Sequence, residues 1–325
     1  MKAAVLVEPS LLEIQELPVP VILADDDVII EVKATGLCGS DLQVFRGHRA
    51  VKLPHVLGHE VSGIVRQVGP GVKNLRAGDR ITVEPNFRCG TCEICRKGRY
   101  NLCPSKMTMG LTMPGSLAEY VKVPEAYAWK IPDTMSHVEA AVVEPATVAV
   151  HAVNKAGTTV GDRVLILGAG PIGLLAMQCA RLAGAEVTVS DIASNRLALA
   201  AELGADHCSN GADLKERTYD EVIDAAGMPS TFLASLSLVR QGGTVVLVGL
   251  GNQPVTFDPV TIVRQEVSIK GIIACVDEFP KTIDLIARGK LLIKPLVNCE
   301  LRLAEVETGL RLMEDRVAVK PVVLF

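Results

Sequence analysis

The chain has 325 residues, of which 49% are hydrophobic and 22% are charged, and its formal net charge is −4 at pH 7. This composition is typical of a globular protein, and the length allows two domains with a core in each. A net negative charge provides no basic surface for nucleic acid or for an anionic membrane, so neither is an expected partner.

The sequence has no segment with the pattern of a membrane anchor or a secretory signal. The uncharged run between Arg163 and Arg181 is too short for a membrane span and is interrupted by glycine and proline. The chain opens at Met1 on a strand-like segment, without the long apolar core of a signal peptide. We therefore expect a cytoplasmic protein.

The first part of the chain, to about residue 145, has the pattern of a β-rich domain. Short apolar runs recur there and are separated by glycine, proline and aspartate. These runs are Ala3–Val7, Val28–Val32, Val61–Val68, Ile81–Val83 and Leu117–Val123. The pattern predicts a compact, antiparallel, barrel-like domain.

A cysteine, a histidine and a glutamate in this part are candidate ligands of a catalytic metal. Cys38 begins a Cys-Gly-Ser-Asp segment, His59 lies in a Gly-His-Glu segment, and Glu144 precedes a proline. Three protein ligands leave one position of a zinc ion open for water or substrate. Each residue alone has a simpler explanation, as a buried thiol, a loop histidine or a surface carboxylate. The spacing by itself therefore leaves this triad open.

Four of the nine cysteines crowd into one short segment with C-x2-C-x2-C-x7-C spacing. They are Cys89, Cys92, Cys95 and Cys103. In a cytosolic chain such clustering favours a metal over disulfides. Four thiolates complete the coordination of zinc, so this site would be structural. Free thiols and an iron–sulfur cluster are the alternatives.

The stretch after the apolar run Val164–Leu167 has the pattern of a dinucleotide-binding loop. The run is typical of a buried parallel strand. Gly168, Gly170 and Gly173 follow it as G-x-G-x-x-G. The first glycine permits a tight turn, the second lets a pyrophosphate approach the backbone, and the third lets helix and strand pack closely.

The glycine loop leads into a helix, and an acidic residue follows the next strand. Pro171 and Ile172 lie at the start of the helix, where free N–H groups face the phosphates. The strand Glu186–Ser190 ends at Asp191, whose carboxylate can accept hydrogen bonds from a ribose. Strand, glycines, helix, strand and acid in this order predict dinucleotide binding.

From about residue 159 onward, strands alternate with helical stretches, which predicts a doubly wound parallel sheet. The predicted strands are 163–167, 186–190, 220–224, 243–248 and 267–273, and the helices are 172–183, 194–203 and 229–239. Two more helices, 279–288 and 303–314, and a last strand, 321–325, follow. We expect the final residues to return to the first domain. The predicted domains are therefore 1–145 with 276–325, and 146–275.

These motifs together resemble the zinc-dependent medium-chain dehydrogenases, over essentially the whole chain. Cys38, the His59 segment, the four-cysteine lobe and the glycine loop occur in that family's order. Val-Val-Glu-Pro around Glu144, with His151-Ala downstream, resembles the sorbitol (polyol) and butanediol dehydrogenase branch. Liver-type alcohol dehydrogenases carry a cysteine at the place of Glu144. The resemblance implies a GroES-like catalytic domain, a Rossmann NAD-binding domain, and two zinc ions in each chain.

The resemblance also implies roles for residues around the catalytic zinc. Cys38, His59 and Glu144 would ligate it, and Glu60 would reach it directly or through water. Asp41 would orient His59 through the other ring nitrogen.

Further roles concern the substrate and the cofactor. Ser40 would contact the substrate hydroxyl. Asp191 would hold the adenosine ribose, which favours NAD because a carboxylate repels the 2′-phosphate of NADP. Arg196 would flank the same ribose, and Lys320 would approach the pyrophosphate.

Two positions depart from the family pattern. Gln43 stands where liver-type enzymes have a relay histidine, so the proton would leave through water, a ribose hydroxyl or a group such as His48. Ala274 and Cys275 stand where sorbitol dehydrogenases have an Arg-Tyr pair that contacts the polyol. We therefore expect a secondary alcohol smaller or less hydroxylated than sorbitol.

The leading hypothesis is a zinc- and NAD-dependent dehydrogenase that oxidises a secondary alcohol or polyol to a ketone. A dehydrogenase of a hydroxy amino acid or sugar acid, such as threonine, would differ only in the pocket. A non-catalytic nucleotide-binding protein of the same fold is a third possibility. By analogy with its relatives, the chain is expected to form a homodimer or homotetramer.

Overall fold

The computed structural model describes residues 1–251 and 253–325. The chain divides into two compact units, Met1–Glu144 with Phe279–Phe325, and Pro145–Glu278. The predicted boundaries, 145/146 and 275/276, lie one and three residues from these positions. No helix in the described residues is long and apolar enough to cross a membrane.

The first unit is built mainly from antiparallel strands. In chain order these are β1 (Lys2–Glu8), β2 (Leu11–Glu16), β3 (Asp27–Gly36), β4 (His55–Val56), β5 (Glu60–Val68), β6 (Arg80–Val83), β7 (Asn86–Phe87), β8 (Met107–Thr108), β9 (Tyr120–Pro124) and β10 (Ala128–Lys130). Its helices are α1 (Gly39–Phe45), α2 (Glu93–Arg96) and α3 (His137–Ala141), with short 3₁₀ turns at Tyr100–Leu102 and Glu125–Tyr127.

Helix α4 (Val143–Ala156) leads into the second unit, which contains a parallel sheet and its helices. The strands are β11 (Arg163–Leu167), β12 (Glu186–Ser190), β13 (His207–Ser209), β14 (Tyr219–Asp224), β15 (Val239–Leu247) and β16 (Ser268–Gly271). The helices are α5 (Pro171–Leu182), α6 (Ser194–Glu202), α7 (Pro229–Leu238) and α8 (Val260–Gln265).

The last part of the chain returns to the first unit. It contains α9 (Phe279–Ala287), β17 (Cys299–Arg302), α10 (Val306–Glu314) and β18 (Pro321–Leu324), with 3₁₀ turns at Lys294–Leu296 and Leu303–Glu305. Strand β18 pairs with β3 in antiparallel register and with β17 in parallel register. The returning strands therefore extend the main sheet of the first unit.

The main sheet of the first unit has seven strands. Their order is β10-β6-β5-β3-β18-β17, with β9 also paired to β3, and a smaller sheet has the order β2-β1-β4. Apolar residues of the two sheets form separate buried clusters, one around Phe45 and Leu117 and the other around Ile30 and Ile81. Strand β3 lies between β5 and β18, so the ends of three strands meet beside Cys38.

The sheet of the second unit is parallel, with the strand order β13-β12-β11-β14-β15-β16. This is the order of a dinucleotide-binding Rossmann fold, in which the strand order reverses between β11 and β14: β12 and β13 are added on one side of β11, and β14, β15 and β16 on the other. Its core includes Leu165, Val222 and Val245, all buried. The predicted doubly wound sheet is therefore confirmed, with β13 and α8 as additional elements.

Candidate functional site

Cys38 and Asp41 are positioned by the start of helix α1, immediately after strand β3. Cys38 is the residue before the first helical turn, in extended conformation. The carboxylate of Asp41 accepts hydrogen bonds from the backbone N–H of Cys38, at 2.9 Å, and of Gly58, at 3.1 Å. Asp41 is fully buried. It thus ties the Cys38 loop to the segment that carries His59.

His59 and Glu60 lie where strand β5 begins. Gly58 precedes them with a φ of +94°, a left-handed conformation that favours glycine. In the sheet register, Glu60 stands opposite Gly36 of β3. A Cβ atom at Gly36 would lie 2.1 Å from Oε2 of Glu60. Gly36 is therefore required for the Glu60 carboxylate to lie over the end of β3.

These two segments bring three ligand atoms together. One atom each of Cys38, His59 and Glu60 lies within 4.8 Å of the others. A thiolate, an imidazole nitrogen and a carboxylate oxygen are all zinc ligands, and three of them leave one coordination position open. The donor set therefore fits a catalytic zinc ion.

The two ring nitrogens of His59 face different neighbours. Nδ1 lies 3.5 Å from Oδ1 of Asp41, and Nε2 lies 3.4 Å from Oγ of Ser40. Burial opposes protonation of His59, but the negative charges of Asp41 and Cys38 outweigh it and raise its pKa well above the usual value. A zinc ion would take the place of this proton, because a metal-bound imidazole must offer its lone pair.

Lys320 lies beside Glu60 in the first unit. Its ammonium group is buried and donates to both oxygens of Glu60, at 2.7 and 2.8 Å, and to the backbone oxygen of Leu37, at 3.0 Å. An ammonium has three donors, so none remains for a phosphate in this structure. In this structure Lys320 therefore holds Glu60, and its contact with a pyrophosphate stays a prediction.

Glu144 lies near this group but is not part of it. It is in the first turn of α4 and is buried, and its charge interacts with those of His59, Glu60 and Lys320. Burial raises the pKa of Glu144 to about 7. Its carboxylate oxygens are not among the ligand atoms that lie within 4.8 Å of one another at this site. The structure therefore groups Glu60, rather than Glu144, with Cys38 and His59.

The four-cysteine lobe has the geometry of a second metal site. Ligand atoms of all four cysteines lie within 4.8 Å of one another. The sulfur of Cys89 is 3.5 Å from that of Cys103 and 4.0 Å from that of Cys95. Zinc–sulfur bonds of about 2.3 Å in a tetrahedron place sulfurs about 3.8 Å apart. These cysteines therefore fit a closed, structural zinc site.

The charges in the lobe support the same interpretation. Hydrogen bonds from the backbone N–H groups of Cys92 and Thr91 lower the pKa of Cys89 to about 6. Partial burial and the neighbouring Cys92 thiol raise the pKa of Cys95 to about 12. Four thiols at such distances cannot all ionise unless a cation balances their charge.

Arg88, beside the lobe, is a residue that the sequence analysis missed. Its guanidinium lies 3.8 Å from the centre of the Tyr100 ring, and its backbone N–H donates to the hydroxyl of Tyr127 at 2.8 Å. It also bonds the carboxylate of Glu84 at 3.3 Å. Arg88 thus connects the segment that begins at Cys89 to the body of the unit.

The glycine loop in the second unit has the predicted shape. Gly168 has a φ of +97°, and Gly170 is the residue before the first turn of α5. A Cβ atom at Gly173 would lie 1.8 Å from the backbone oxygen of Gly168. Helix α5 can therefore approach the strand this closely only because residue 173 has no side chain.

Asp191 lies against this loop. Its carboxylate accepts hydrogen bonds from the backbone N–H of Ala169, at 2.7 Å, and of Ala193, at 2.8 Å. Each oxygen accepts one of these bonds and keeps a lone pair for another donor. Arg196 follows in the first turn of α6. The predicted acid is thus fixed beside the backbone that would hold a pyrophosphate.

Comparison with known proteins identifies the class to which this fold and these sites belong. Residues 24–133 match the family described as alcohol dehydrogenase GroES-like domain, and residues 171–288 match zinc-binding dehydrogenase. The chain therefore belongs to the zinc-binding alcohol dehydrogenase family of oxidoreductases. The predicted resemblance and both predicted domain folds are confirmed.

Individual relatives are between 31% and 38% identical to the chain over the aligned residues. It is 36% identical to sorbitol dehydrogenase of Bacillus subtilis, over 95% of this chain and 92% of that one. It is 38% identical to L-idonate 5-dehydrogenase of Vitis vinifera, over 84% of this chain and 80% of that one. Among solved structures, an alcohol dehydrogenase of Escherichia coli complexed with NADH has a TM-score of 0.94 to this chain. The two are 31% identical, and the match covers 100% of this chain and 99% of that one.

Proposed function

We propose that the protein oxidises a secondary alcohol or polyol to a ketone with NAD, using zinc held by Cys38, His59 and Glu60. The observation that carries the proposal is the convergence of these three ligand atoms within 4.8 Å. Family membership and the glycine loop with Asp191 support it independently. The similarity to a sorbitol dehydrogenase and to an alcohol dehydrogenase complexed with NADH also supports it.

The bound groups supply the reaction's chemistry. Zinc acts as a Lewis acid that lowers the pKa of an alcohol, and the nicotinamide accepts a hydride. The chain's own residues bind and orient these groups. Asp41 fixes the ring of His59, and Lys320 with Gly36 fixes the carboxylate of Glu60. Such supporting contacts maintain ligand geometry.

Ser40 is the residue that we propose for contact with the substrate hydroxyl. It lies in the first turn of α1, and its Oγ is 3.4 Å from Nε2 of His59. A hydroxyl both donates and accepts hydrogen bonds, so it can receive a proton and pass it on. With Gln43 at the relay position, we propose that the proton then leaves through water or a ribose hydroxyl.

The cofactor is proposed to be NAD rather than NADP. The fixed carboxylate of Asp191 can accept hydrogen bonds from both hydroxyls of the adenosine ribose, but it would repel a 2′-phosphate. Arg196 is proposed to flank the same ribose. The four-cysteine lobe is proposed to hold a second, structural zinc, so that each chain binds two.

The substrate is proposed to be a small secondary alcohol, because Ala274 and Cys275 provide neither a guanidinium nor a phenol. A sugar acid is the second candidate, favoured by the similarity to L-idonate 5-dehydrogenase. We further propose a cytoplasmic homodimer or homotetramer, by analogy with relatives, which the native mass in solution would test.

A substrate panel tests the proposal directly. The zinc-loaded protein is mixed with NAD or NADP and with butane-2,3-diol, xylitol, sorbitol, L-idonate or L-threonine, and formation of the reduced cofactor is followed by absorbance. We expect NAD-dependent turnover, fastest with a small diol. Turnover restricted to L-idonate or L-threonine would favour the acid alternative. Zinc-loaded protein inactive with the whole panel would contradict the proposal.

A further inference from the structure

A buried histidine–glutamate pair in the second unit has no part in the function described so far. Nδ1 of His151, in helix α4, lies 2.8 Å from Oε1 of Glu278. His151 is 3% exposed and Glu278 is 8% exposed. A carboxylate only accepts hydrogen bonds, so Nδ1 carries the hydrogen and donates it. A buried polar pair of this kind is retained only where both partners are satisfied.

The second oxygen of Glu278 holds the segment just before it. Oε2 accepts a short hydrogen bond from the backbone N–H of Val276. Glu278 therefore connects two elements through one carboxylate, namely helix α4 and the loop 272–278 that follows β16. His151 is the anchor of this connection, because the loop is held to α4 through it.

The loop 272–278 contains a strained backbone. Ala274 has a φ of +53° and Asp277 a φ of +59°, both in the left-handed region that favours glycine. Such residues persist only where surrounding contacts hold them, and they concentrate at functional sites. The bonds of Glu278 are contacts of this kind, because they fix the backbone between the two strained residues.

The loop 272–278 lies at the edge of the sheet where a dinucleotide would bind. In a parallel sheet all strands end at the same edge, so the loop after β16 lies at the edge that carries Gly168 and Asp191. A dinucleotide lies across this edge, and Asp191 follows β12 on one side of the β11–β14 reversal. Strand β16 is on the other side. With the adenosine ribose at Asp191, the nicotinamide half would therefore lie on the side of the sheet from which the loop leaves.

We propose that His151 and Glu278 are positioning residues for the nicotinamide half of the cofactor. They hold the loop 272–278 in its strained conformation. The part of the binding site that would contact the nicotinamide ring is therefore preorganised before the cofactor binds. The proposal rests on the proposed function, because it takes the bound dinucleotide from it. It adds residues that neither touch the metal nor belong to the glycine loop.

The test compares two ligands in a His151→Ala variant. NADH carries the nicotinamide and ADP-ribose does not, and both can be titrated against the full-length protein. We expect the dissociation constant of NADH to rise about tenfold, as loss of a buried hydrogen bond predicts. That of ADP-ribose should stay within about twofold. Hydrogen exchange at the Val276 amide should also become faster, although its acceptor Glu278 is still present.

The chain offers a matched control for this experiment. His207 and Glu186, in the same unit, form an exposed pair with the same 2.8 Å distance. The His207→Ala variant should bind both ligands as the wild type does. If His151→Ala does not fold, His151→Phe serves instead, since it fills similar space but provides no donor for Glu278.

A rescue variant separates positioning from general stability. Glycine adopts left-handed backbone without strain, so adding Asp277→Gly to His151→Ala should recover part of the NADH affinity. Equal weakening of both ligands, or unchanged NADH affinity, would overturn the proposal. If the wild type itself bound ADP-ribose but no NADH, the cofactor assignment would fail instead, and the exchange at Val276 would still report on the loop.

Discussion

Glu60 and Lys320 form a buried ion pair between residues far apart in the chain. Lys320 is 2% exposed and Glu60 is fully buried. The pair is enclosed by the ends of β3, β5 and β18, where Gly36 leaves space for the carboxylate. Neither charged group can reach solvent, so in the absence of a metal each charge is compensated by the other.

Replacing Lys320 by methionine is therefore expected to destabilise the first unit. In the zinc-free protein, removing Lys320 leaves the Glu60 carboxylate buried without a cation, which costs about 3–5 kcal/mol. The free energy of unfolding in urea measures this loss. The Arg46→Met variant is a suitable control, because Arg46 pairs with Glu314 at the surface. Its loss should lower the free energy of unfolding far less than the loss of Lys320. Similar losses in both variants would contradict this account of the buried pair.

A second prediction concerns the acid side of the stability profile. Burial lowers the pKa of His137 to about 4, and the positive charges of Arg80 and Lys33 act in the same direction. A histidine in the unfolded chain titrates near about 6.5. Between these values the unfolded chain binds more protons than the folded one. The stabilisation is therefore complete above about pH 6.5 and is lost as the pH falls towards 4.

The His137→Gln variant removes this titration. Its free energy of unfolding should fall less steeply between about pH 6.5 and 4 than that of the wild type. Urea unfolding at a series of pH values measures the difference. Equal slopes in the two proteins would show that His137 is not responsible.

Asp191 is expected to set the choice of cofactor. In the Asp191→Ser variant the ribose loses a carboxylate acceptor, and a 2′-phosphate is no longer repelled. The Kd of NADH should rise, and the preference for NADH over NADPH should shrink by about tenfold or more. Fluorescence titration with both cofactors measures this. An unchanged preference would mean that another residue recognises the ribose.

Sequence reasoning found the ligand types but not their partners. Cys38, His59 and Asp41 could be predicted because each stands in a short local motif. The partner of Lys320 could not, because Glu60 is 260 residues away in sequence and only the sheet brings them together. Gly36 had a detectable signal, since a glycine inside a strand often marks close approach of another group.

At the scale of elements, the four-cysteine lobe has little regular structure, and none of the residues of its helix α2 is buried. It contains only the single-turn helix α2 and the turn Tyr100–Leu102. We therefore expect a bound metal to stabilise the shape of this segment. Its connection to the rest of the unit runs partly through Arg88 and the rings beside it.

The Cys92→Ser variant is expected to separate the structural metal from the catalytic one. Zinc content should fall from about two ions per chain to about one, because the lobe loses a thiolate ligand. The Tm should fall as well, while kcat at saturating substrate should change much less. Metal analysis and thermal unfolding on the same sample provide the check. A kcat that fell in proportion to the zinc would assign chemistry to the lobe.

Elements were predictable where an apolar pattern was continuous. The predicted strand 163–167 matches β11, because a buried parallel strand carries an uninterrupted apolar run. The predicted strand 186–190 matches β12, whose two valines are buried between polar residues. Strand β2 was missed because it is mostly exposed and mixes charged with apolar residues. The helix around Glu144 was also missed, since its first residues were considered only as a ligand motif.

At the scale of the whole molecule, the chain leaves the first unit and returns to it. It leaves within helix α4, between Glu144 and Pro145, and returns between Glu278 and Phe279. Phe279 stacks on Trp129 of the first unit at 6.2 Å, while Glu278 bonds His151 in the second. Adjacent residues are thus held by different units. The return could be predicted from the last strand, but these contacts could not, because they join distant parts of the sequence.

The central claim is that Cys38, His59 and Glu60 hold the metal on which NAD-dependent alcohol oxidation depends. The most direct test measures zinc content and NADH formation on the same samples of wild type and Cys38→Ser. We predict about two zinc ions per chain in the wild type, and about one in the variant, with turnover lost. Retained turnover in a variant that holds only one zinc would contradict the claim.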